Sequence, residues 1–495
     1  MSQVTLLPVV KAFIAKGHGS FIDGQTQFSA AAACLPVIDP STGQTMASVH
    51  SASAEDVDAA VASARKAFHG VWADTPPSQK GYLLSRLADL LEAHGEELAQ
   101  LESLCSGKSI HVSRAIEVGQ SAAFLRYYAG WASKINGETI SPSFPSMAGE
   151  RYSAFTLREP VGVVAGIVPW NFAVMIGIWK IASALVTGCT VVLKPSEYTP
   201  LTLLRIAELA IEAGIPAGVI NVLTGDGAVG QRLTAHAGIS KVSLTGSVAT
   251  GKAVGKSAMD ANLKRVTLEL GGKNPAGLLQ DVDADLAVAG LILGAYTHQG
   301  QICASPERIF VHRSRIDEVI DKMAKGLQQM KIGSPLDESV NFGPLANRAH
   351  YEKVLGFFNC AHAESSVICG GRAIERPGYF VEPTIVLAGN RDDRLLHEET
   401  FGPVTCFLPF DDDEELVDLM NDSPFGLTAS IWTNNLSKAF RMVPRIEAGT
   451  VWINMHTFLD PAVPFGGVKG SGIGREFGGA FIDDYTELKS VILRY

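Results

Sequence analysis

In the run QGQICASPE, Gln299–Glu307, a cysteine sits where it could do nucleophilic chemistry. The run follows a long apolar helical stretch and precedes a strand-like one, so Cys303 falls in a loop. A reactive thiol in a loop between two domains can attack an electrophilic carbon. A single cysteine is more often an inert buried thiol, and both readings stand on this run alone. A second stretch, TGSVATGKAVG (Thr245–Gly255), comes within one residue of a phosphate-binding loop. Gly246, Gly251 and Lys252 fit its core, but Ala253 stands where the magnesium-binding Ser or Thr belongs. Nucleoside triphosphate chemistry is therefore excluded, while a dinucleotide pyrophosphate, which needs no magnesium, is not. The competing reading is a glycine-rich turn that only connects elements. KPSEYTP (Lys194–Pro200) is a similar case. Lys194 and Glu197 at a strand's end can bond ribose hydroxyls, or they can face solvent in an ordinary turn.

These residues need a scaffold that brings them together. Residues 1–137 read as mostly helical, with apolar residues at helical spacing in Asp56–Gly70, Ser78–Cys105 and Ser109–Lys134. Residues 138–157 break this with Pro, Ser and β-formers and read as a projecting two-stranded excursion. From Val161 strands and helices alternate: VGVVAGIV, a helix ending at Gly188, TVVLKP, a helix ending before Gly214, VINVLT, a helix from Ala228, KVSLT, a helix from Val248, and RVTLEL. Such alternation predicts a parallel, doubly wound sheet. Gly246 and Ser247 then lie where a strand becomes a helix, and unpaired N–H groups with a positive helix end can hold an anion there. A second α/β series follows, with PAGLL, RIFVH, VTCFLPF, LTASIWT and TVWIN as strands, and Leu488–Tyr495 is strand-like.

Composition narrows the class further. The chain has 495 residues and a formal charge of −10, which argues against an extended nucleic-acid surface. Its seven cysteines are widely spaced without C-x-x-C pairs, as suits reduced thiols in a reducing compartment. The N-terminus reads as lacking a secretory signal. The uncharged run Pro160–Trp179 is long enough for a membrane span, but Pro169, Trp170 and Asn171 divide it into a buried strand, a turn and a buried helix. No G-x-S-x-G is present for a serine hydrolase, and Cys360, His362 and Cys369 lack a metal-site spacing and a fourth ligand. No metal is expected.

Taken together, PWNF (169–172), KPSE (194–197), TGSVATG (245–251), LELGGKNP (268–275), QGQICA (299–304), EETFGPV (398–404) and PFGGVKGSGIGRE (464–476) resemble the signature motifs of NAD(P)-dependent aldehyde dehydrogenases, in that family's order. The likeness is strongest to the bacterial members that act on phenylacetaldehyde. It implies an α/β fold with a Rossmann-like NAD-binding domain (1–137 and 158–269), a catalytic α/β domain (270–480) and a small β oligomerisation module (138–157 and 481–495). It implies that Cys303 attacks the aldehyde, that the Asn171 amide and the Cys303 N–H stabilise the oxyanion, and that Glu269 activates the water that releases the acid. Lys194 and Glu197 would hold the adenosine ribose, Gly246, Ser247 and Gly251 the phosphates, Glu399 and Phe401 the nicotinamide ribose, and Trp170 the groove wall.

The expected cofactor is NAD, with NADP a poorer alternative, because Glu197 repels a 2′-phosphate. The expected aldehyde pocket is formed by Phe172, Met175, Ile176, Trp179, Thr297, Ile302, Phe458, Leu459 and Phe465, which are suited to an aromatic or arylalkyl aldehyde such as phenylacetaldehyde. Thr297 stands where many relatives that prefer short aldehydes carry an aromatic, which leaves room for a ring. The resemblance also implies a cytoplasmic homotetramer, a dimer of dimers. The alternatives are another hydrophobic aldehyde, a CoA-acylating relative that passes the thioester to CoA, and a non-enzymatic structural homologue. Glu269 argues for water over CoA, and the presence of Cys303, Glu269 and Asn171 argues against the structural homologue.

Overall fold

The structure is a computed structural model that describes residues 5–29, 33–145 and 147–495. Among the described residues, the first sheet has eight strands. Its centre is parallel, in the spatial order Arg265–Glu269, Lys241–Thr245, Val163–Ile167, Thr190–Lys194, Ile220–Val222. The strand order reverses between Val163–Ile167 and Lys241–Thr245: one strand passes on to Thr190–Lys194 and the other to Arg265–Glu269. A crevice opens at such a switch point, outside the carboxyl ends of the strands. The strands are apolar and buried along almost their whole length, as parallel strands covered on both faces must be.

The second sheet has seven strands, in the order Ser366–Cys369, Thr384–Leu387, Val404–Phe410, Pro306–His312, Asn274–Leu278, Thr428–Trp432, Thr450–Ile453, all parallel except the first. The third is antiparallel: Thr486–Arg494 runs along the whole of Tyr152–Pro160, which also pairs with Thr139–Ile140. The protein is thus an α/β protein with two largely parallel sheets and a small antiparallel one.

Three features differ from the sequence reading. The N-terminal region holds two hairpins, Ser20–Ile22 with Gln25–Gln27 and Cys34–Asp39 with Gln44–His50, rather than helices alone. The first lies against Ile220–Val222 at the edge of the first sheet. The helix expected over Ser109–Lys134 contains a π-helical stretch, Ser113–Gln120, before the α-helix Ser121–Ala129. Gly472–Ile473, far along the chain, pairs antiparallel with Arg265–Glu269, so the second half adds an edge strand to the first sheet. The run Pro160–Trp179 resolves into a strand end, the strand Val163–Ile167, a turn and the start of the helix Ala173–Val186. No helix among the described residues is long and apolar enough to cross a membrane.

Candidate active site

Glu269 ends the strand Arg265–Glu269, opposite Thr245 of its neighbour, and its carbonyl accepts the Gly246 N–H at 3.0 Å. The chain beyond it must pass between two loops. A Cβ at Gly271 would lie 2.4 Å from the Glu399 carboxylate, and one at Gly272 would lie 3.0 Å from the Cys303 carbonyl oxygen. These approaches account for the paired glycines of LELGGKNP.

The helix Ala284–Tyr296 gives way to a tight turn in which His298, Gln299 and Gly300 all take left-handed φ values of 49°, 57° and 70°. Gly300 has no alternative there, because a Cβ would meet the Gly402 carbonyl oxygen at 2.3 Å. The segment after the turn is pinned by side chains. Asn274 Nδ2 donates to the carbonyls of Cys303 (2.7 Å) and Ser305 (2.8 Å), and His456 Nε2–H donates to that of Ala304 (2.8 Å). Asn171 lies in the turn between Val163–Ile167 and Ala173–Val186, buried, with its Nδ2 donating to the Gln301 carbonyl at 2.9 Å.

Two cavities meet at these residues. One, of about 220 Å³, is lined by Ile116, Gln120, Phe172, Met175, Ile176, Trp179, Leu293, Thr297, Ile302, Ala304, Thr457 and Leu459. None of these is charged. The other, of about 180 Å³, lies at the switch point of the first sheet, lined by Pro169, Trp170, Thr245, Gly246, Ser247, Glu269, Leu270, Gly271, His350, Lys353, Glu399 and Phe401. Cys303 and Asn171 line both. A reagent in either cavity therefore reaches the same sulfur.

Burial governs the electrostatics. It pushes the Cys303 thiol up to about 12, helped by the nearby carboxylates of Glu269 and Glu399. Glu269 is buried and neither of its carboxylate oxygens has a hydrogen-bond partner. Burial, with Glu476 adding repulsion, raises its pKa well above the usual carboxylate range, against the pull of Lys180 and Arg475. Lys180 and Glu476 themselves form a buried ion pair at 3.1 Å. Glu399 is raised by burial to about 7, and accepts the Gly272 N–H at 2.8 Å. His350, lowered by burial to about 3, is a neutral ring against Trp170 and Phe401, with centroids 5.1 and 5.9 Å away.

The sequence-predicted residues divide accordingly. Trp170, Gly246, Ser247, Glu399 and Phe401 line the switch-point cavity, and Phe172, Met175, Ile176, Trp179, Thr297, Ile302 and Leu459 line the apolar one. Phe458 and Phe465 do not. Thr457 takes a left-handed φ of 61°, and alternation along 457–459 turns Thr457 and Leu459 inward and leaves Phe458 54% exposed. Phe465 is buried elsewhere, stacked on Phe477. Gly251 is not in the cavity wall either. It sits in the first turn of Val248–Asn262, where a Cβ would lie 2.5 Å from a Leu270 methyl, so it serves helix packing. Lys194 and Glu197 stand outside this cavity at the carboxyl end of Thr190–Lys194, 3.7 Å apart, and burial lowers the lysine's pKa.

Five lining residues outside the quoted motifs come from helices that no motif marks. Ile116 and Gln120 belong to the π-helical stretch, Leu293 to the outer part of its helix, and His350 and Lys353 to the helix Arg348–Glu364. Their positions depend on tertiary packing, and no local pattern marks them.

The cleft fits a dinucleotide. It stands at the switch point of a parallel sheet, beside the N-terminus of the fifteen-residue helix Val248–Asn262, with Gly246 and Ser247 in its wall. Comparison with known proteins agrees. Residues 28–491 match the family described as the aldehyde dehydrogenase family. The chain is 46% identical over 485 residues to the phenylacetaldehyde dehydrogenase of Pseudomonas fluorescens, covering 97% of this chain and 96% of that one. The NAD+ complex of an aldehyde dehydrogenase from Bacillus cereus superposes with a TM-score of 0.96 at 41% identity, covering 99% of both chains. A variant of the indole-3-acetaldehyde dehydrogenase of P. syringae, in complex with NAD+ and IAA, superposes with a TM-score of 0.93 at 40% identity, covering 96% of both.

The raised thiol predicts slow alkylation of the ligand-free protein. With iodoacetamide, followed by peptide mass mapping, modification of Cys303 should accelerate with pH and show no plateau below about pH 10, since the thiolate grows toward a pKa of about 12. A plateau near neutrality would contradict this account of the resting site.

Proposed function

The chain belongs to the aldehyde dehydrogenase family, and on that premise we propose that it oxidises an arylalkyl aldehyde, phenylacetaldehyde in the first instance, to the carboxylic acid through Cys303. NAD-dependent aldehyde oxidation is the activity of the chain; the choice of aldehyde and the residue roles are proposals. The observation that carries it is the sharing of Cys303 and Asn171 by an apolar cavity and a switch-point cavity.

The aldehyde enters from the apolar side. Cys303 Sγ bonds its carbonyl carbon as the thiol proton leaves for the Glu269 carboxylate. The resulting oxyanion accepts hydrogen bonds from the Asn171 amide, which exchanges its contact with the Gln301 carbonyl, and from the Cys303 N–H. Bound NAD would supply the acceptor for the hydride that leaves the thiohemiacetal carbon as the carbonyl of the thioester re-forms. Trp170, Gly246, Ser247, Glu399 and Phe401 hold that cofactor, with His350 and Lys353 beside them, and Lys194 and Glu197 take its adenosine ribose. Glu269, its proton released, then removes a proton from water as the oxygen adds to the thioester carbon. The Cys303 sulfur leaves and the acid is freed.

Support for an aromatic substrate comes from the uncharged lining of the cavity, where no Arg or Lys is present to pair with a substrate carboxylate or phosphate, and from Thr297 as a small wall residue. The phenylacetaldehyde and indole-3-acetaldehyde dehydrogenases named above are relatives with aromatic substrates. The three-stranded sheet supports a homotetramer built as a dimer of dimers. Its outer strand Thr486–Arg494 presents exposed Leu488 and Ile492, the latter at 70%, and an open, apolar edge of that kind calls for a partner.

Because burial raises its pKa well above the usual carboxylate range, Glu269 becomes the active carboxylate only at higher pH than an ordinary glutamate, so kcat should climb with pH. Glu269→Gln should remove that dependence, lower steady-state kcat by about 10²–10⁴-fold, and leave at most one burst of NADH fluorescence per site. Normal turnover in this variant would assign the base elsewhere. In steady-state assays, kcat/KM for phenylacetaldehyde should exceed that for acetaldehyde by at least about tenfold, and should also exceed that for succinate semialdehyde. A win by either small or charged aldehyde would refute the pocket reading and leave the dehydrogenase assignment intact. Light scattering should give a tetramer, and Leu488→Glu with Ile492→Glu should yield smaller species; an unchanged mass would exclude this sheet from the interface.

A further inference from the structure

Beneath the turn that carries Asn171 lies a cluster of charges that the chemistry above does not use. Lys108, Glu102 and Glu117 are all fully buried. Lys108 Nζ donates to the Asn171 carbonyl at 2.6 Å, to Glu102 Oε1 at 3.0 Å and to Glu117 Oε1. An ammonium has three N–H donors, and here each has a partner. The remaining carboxylate oxygens are also engaged. Glu102 Oε2 accepts from the Thr202 hydroxyl at 2.8 Å, and Glu117 Oε2 accepts the Met175 N–H, in the first turn of Ala173–Val186, at 2.8 Å. The ammonium lies 4.5 Å from the ring centroid of Phe172, a wall of the apolar cavity.

Burying such a cluster is expensive unless its geometry is fully satisfied, and satisfied polar networks specify a single arrangement of what they hold. What this one holds is the peptide between Asn171 and Phe172 and the helix start that follows. Glu117 comes from the π-helical stretch Ser113–Gln120, whose Ile116 and Gln120 line the same cavity. π-helical turns occur often at functional sites, and here the turn directs a carboxylate inward toward the base of the Asn171 turn.

We propose that Lys108 is a positioning residue for the oxyanion donor: by gripping the Asn171 carbonyl from below, it fixes the backbone from which the Asn171 amide projects to the substrate oxygen. This rests on the reading of Asn171 as an oxyanion donor. The side-chain amide has only two torsions between it and that backbone, so a shift of the peptide moves the donor directly. A rotation of that peptide would also carry Phe172 out of the cavity wall.

A double-mutant cycle tests this in the intact enzyme, with melting temperature and oligomer size checked for each variant. Lys108→Met keeps the length of the side chain and removes its charge and donors. Asn171→Ala should lower kcat about 10²–10³-fold, as for loss of one oxyanion donor. Lys108→Met should lower it roughly ten- to hundredfold, the scale of a small misplacement, with NAD affinity from protein-fluorescence quenching held within about twofold. In the Asn171→Ala background, the same change should cost less than about twofold more, because the group it positions is gone. Equal losses in both backgrounds, an unchanged kcat, or a loss accounted for by weaker NAD binding would overturn the inference. If Asn171→Ala alone leaves kcat intact, the oxyanion reading fails and this inference fails with it. Additive losses with a sensitive Asn171 sink the Lys108 inference alone. Should Lys108→Met not fold, Glu117→Gln, which keeps an acceptor for the Met175 N–H, takes its place in the cycle under the same criterion.

Discussion

The loops around Cys303 depend on one buried carboxylate, Glu307. It is the second residue of the strand Pro306–His312, just after the Cys303 loop, and is almost fully enclosed. Lys273, from the LELGGKNP segment, is ion-paired to it, and the N–H groups of Thr400 (2.9 Å) and Phe401 (2.7 Å) donate to it. One side chain thus ties the segment after Glu269, the thiol loop and the loop bearing Glu399 and Phe401. An ion pair so placed adds little net stability compared with apolar packing, but losing either partner leaves a bare buried charge and costs about 3–5 kcal/mol. Its value is registration. Phe401 is held in a left-handed conformation, φ 55°, where Glu307 takes its N–H.

Glu269 has the opposite treatment. Glu307 is saturated with donors, whereas Glu269 is equally buried and has none. Two carboxylates of the same type thereby have different surroundings: one is tied down by donors, and the other sits without partners in a buried site that raises its pKa well above the usual carboxylate range. Glu399 has a single N–H donor, and burial raises its pKa to about 7. The carboxylate with the fewest bonds is the one free to exchange a proton, and it faces the cavity that also holds Cys303.

What could be read from the sequence was local. Cys303, Glu269 and Asn171 sit at a turn, a strand end and a turn, where short motifs with glycine or proline announce the backbone geometry, and the parallel strands announced themselves by apolar runs. The far walls of the apolar cavity could not be read this way. Ile116 and Gln120 reach it from Ser113–Gln120, which is wound as a π-helix, and a 3.6-residue pattern cannot distinguish that winding from an ordinary helix. Phe458 and Leu459 are both expected inside, but adjacent side chains there alternate, so Leu459 lines the cavity and Phe458 faces out. The N-terminal hairpins were missed because Gln25–Gln27 is wholly exposed and Cys34–Asp39 has a single fully buried position, so neither carries an alternating signal. Gly472–Ile473 is too short to register in a sequence at all; its partner, the strand ending in Glu269, defines it.

The near-match to a phosphate loop in TGSVATGKAVG has a physical reason of its own. A true phosphate loop aims successive free N–H groups at the anion, with a lysine and a metal behind them. Here the Gly246 N–H is spent on the Glu269 carbonyl, which locks the strand of Glu269 to the turn. The Thr250 N–H is capped by Ser247 Oγ at 3.2 Å, Gly251 lets the helix close on Leu270, and Lys252 points to solvent. Each feature that suggested a triphosphate cradle instead sets the helix Val248–Asn262 against the strand of Glu269. The end of that helix remains open to the cleft. A helix end alone suits a pyrophosphate that arrives without a metal, and in the proposed reaction the same packing would keep that anion in register with the Glu269 carboxylate.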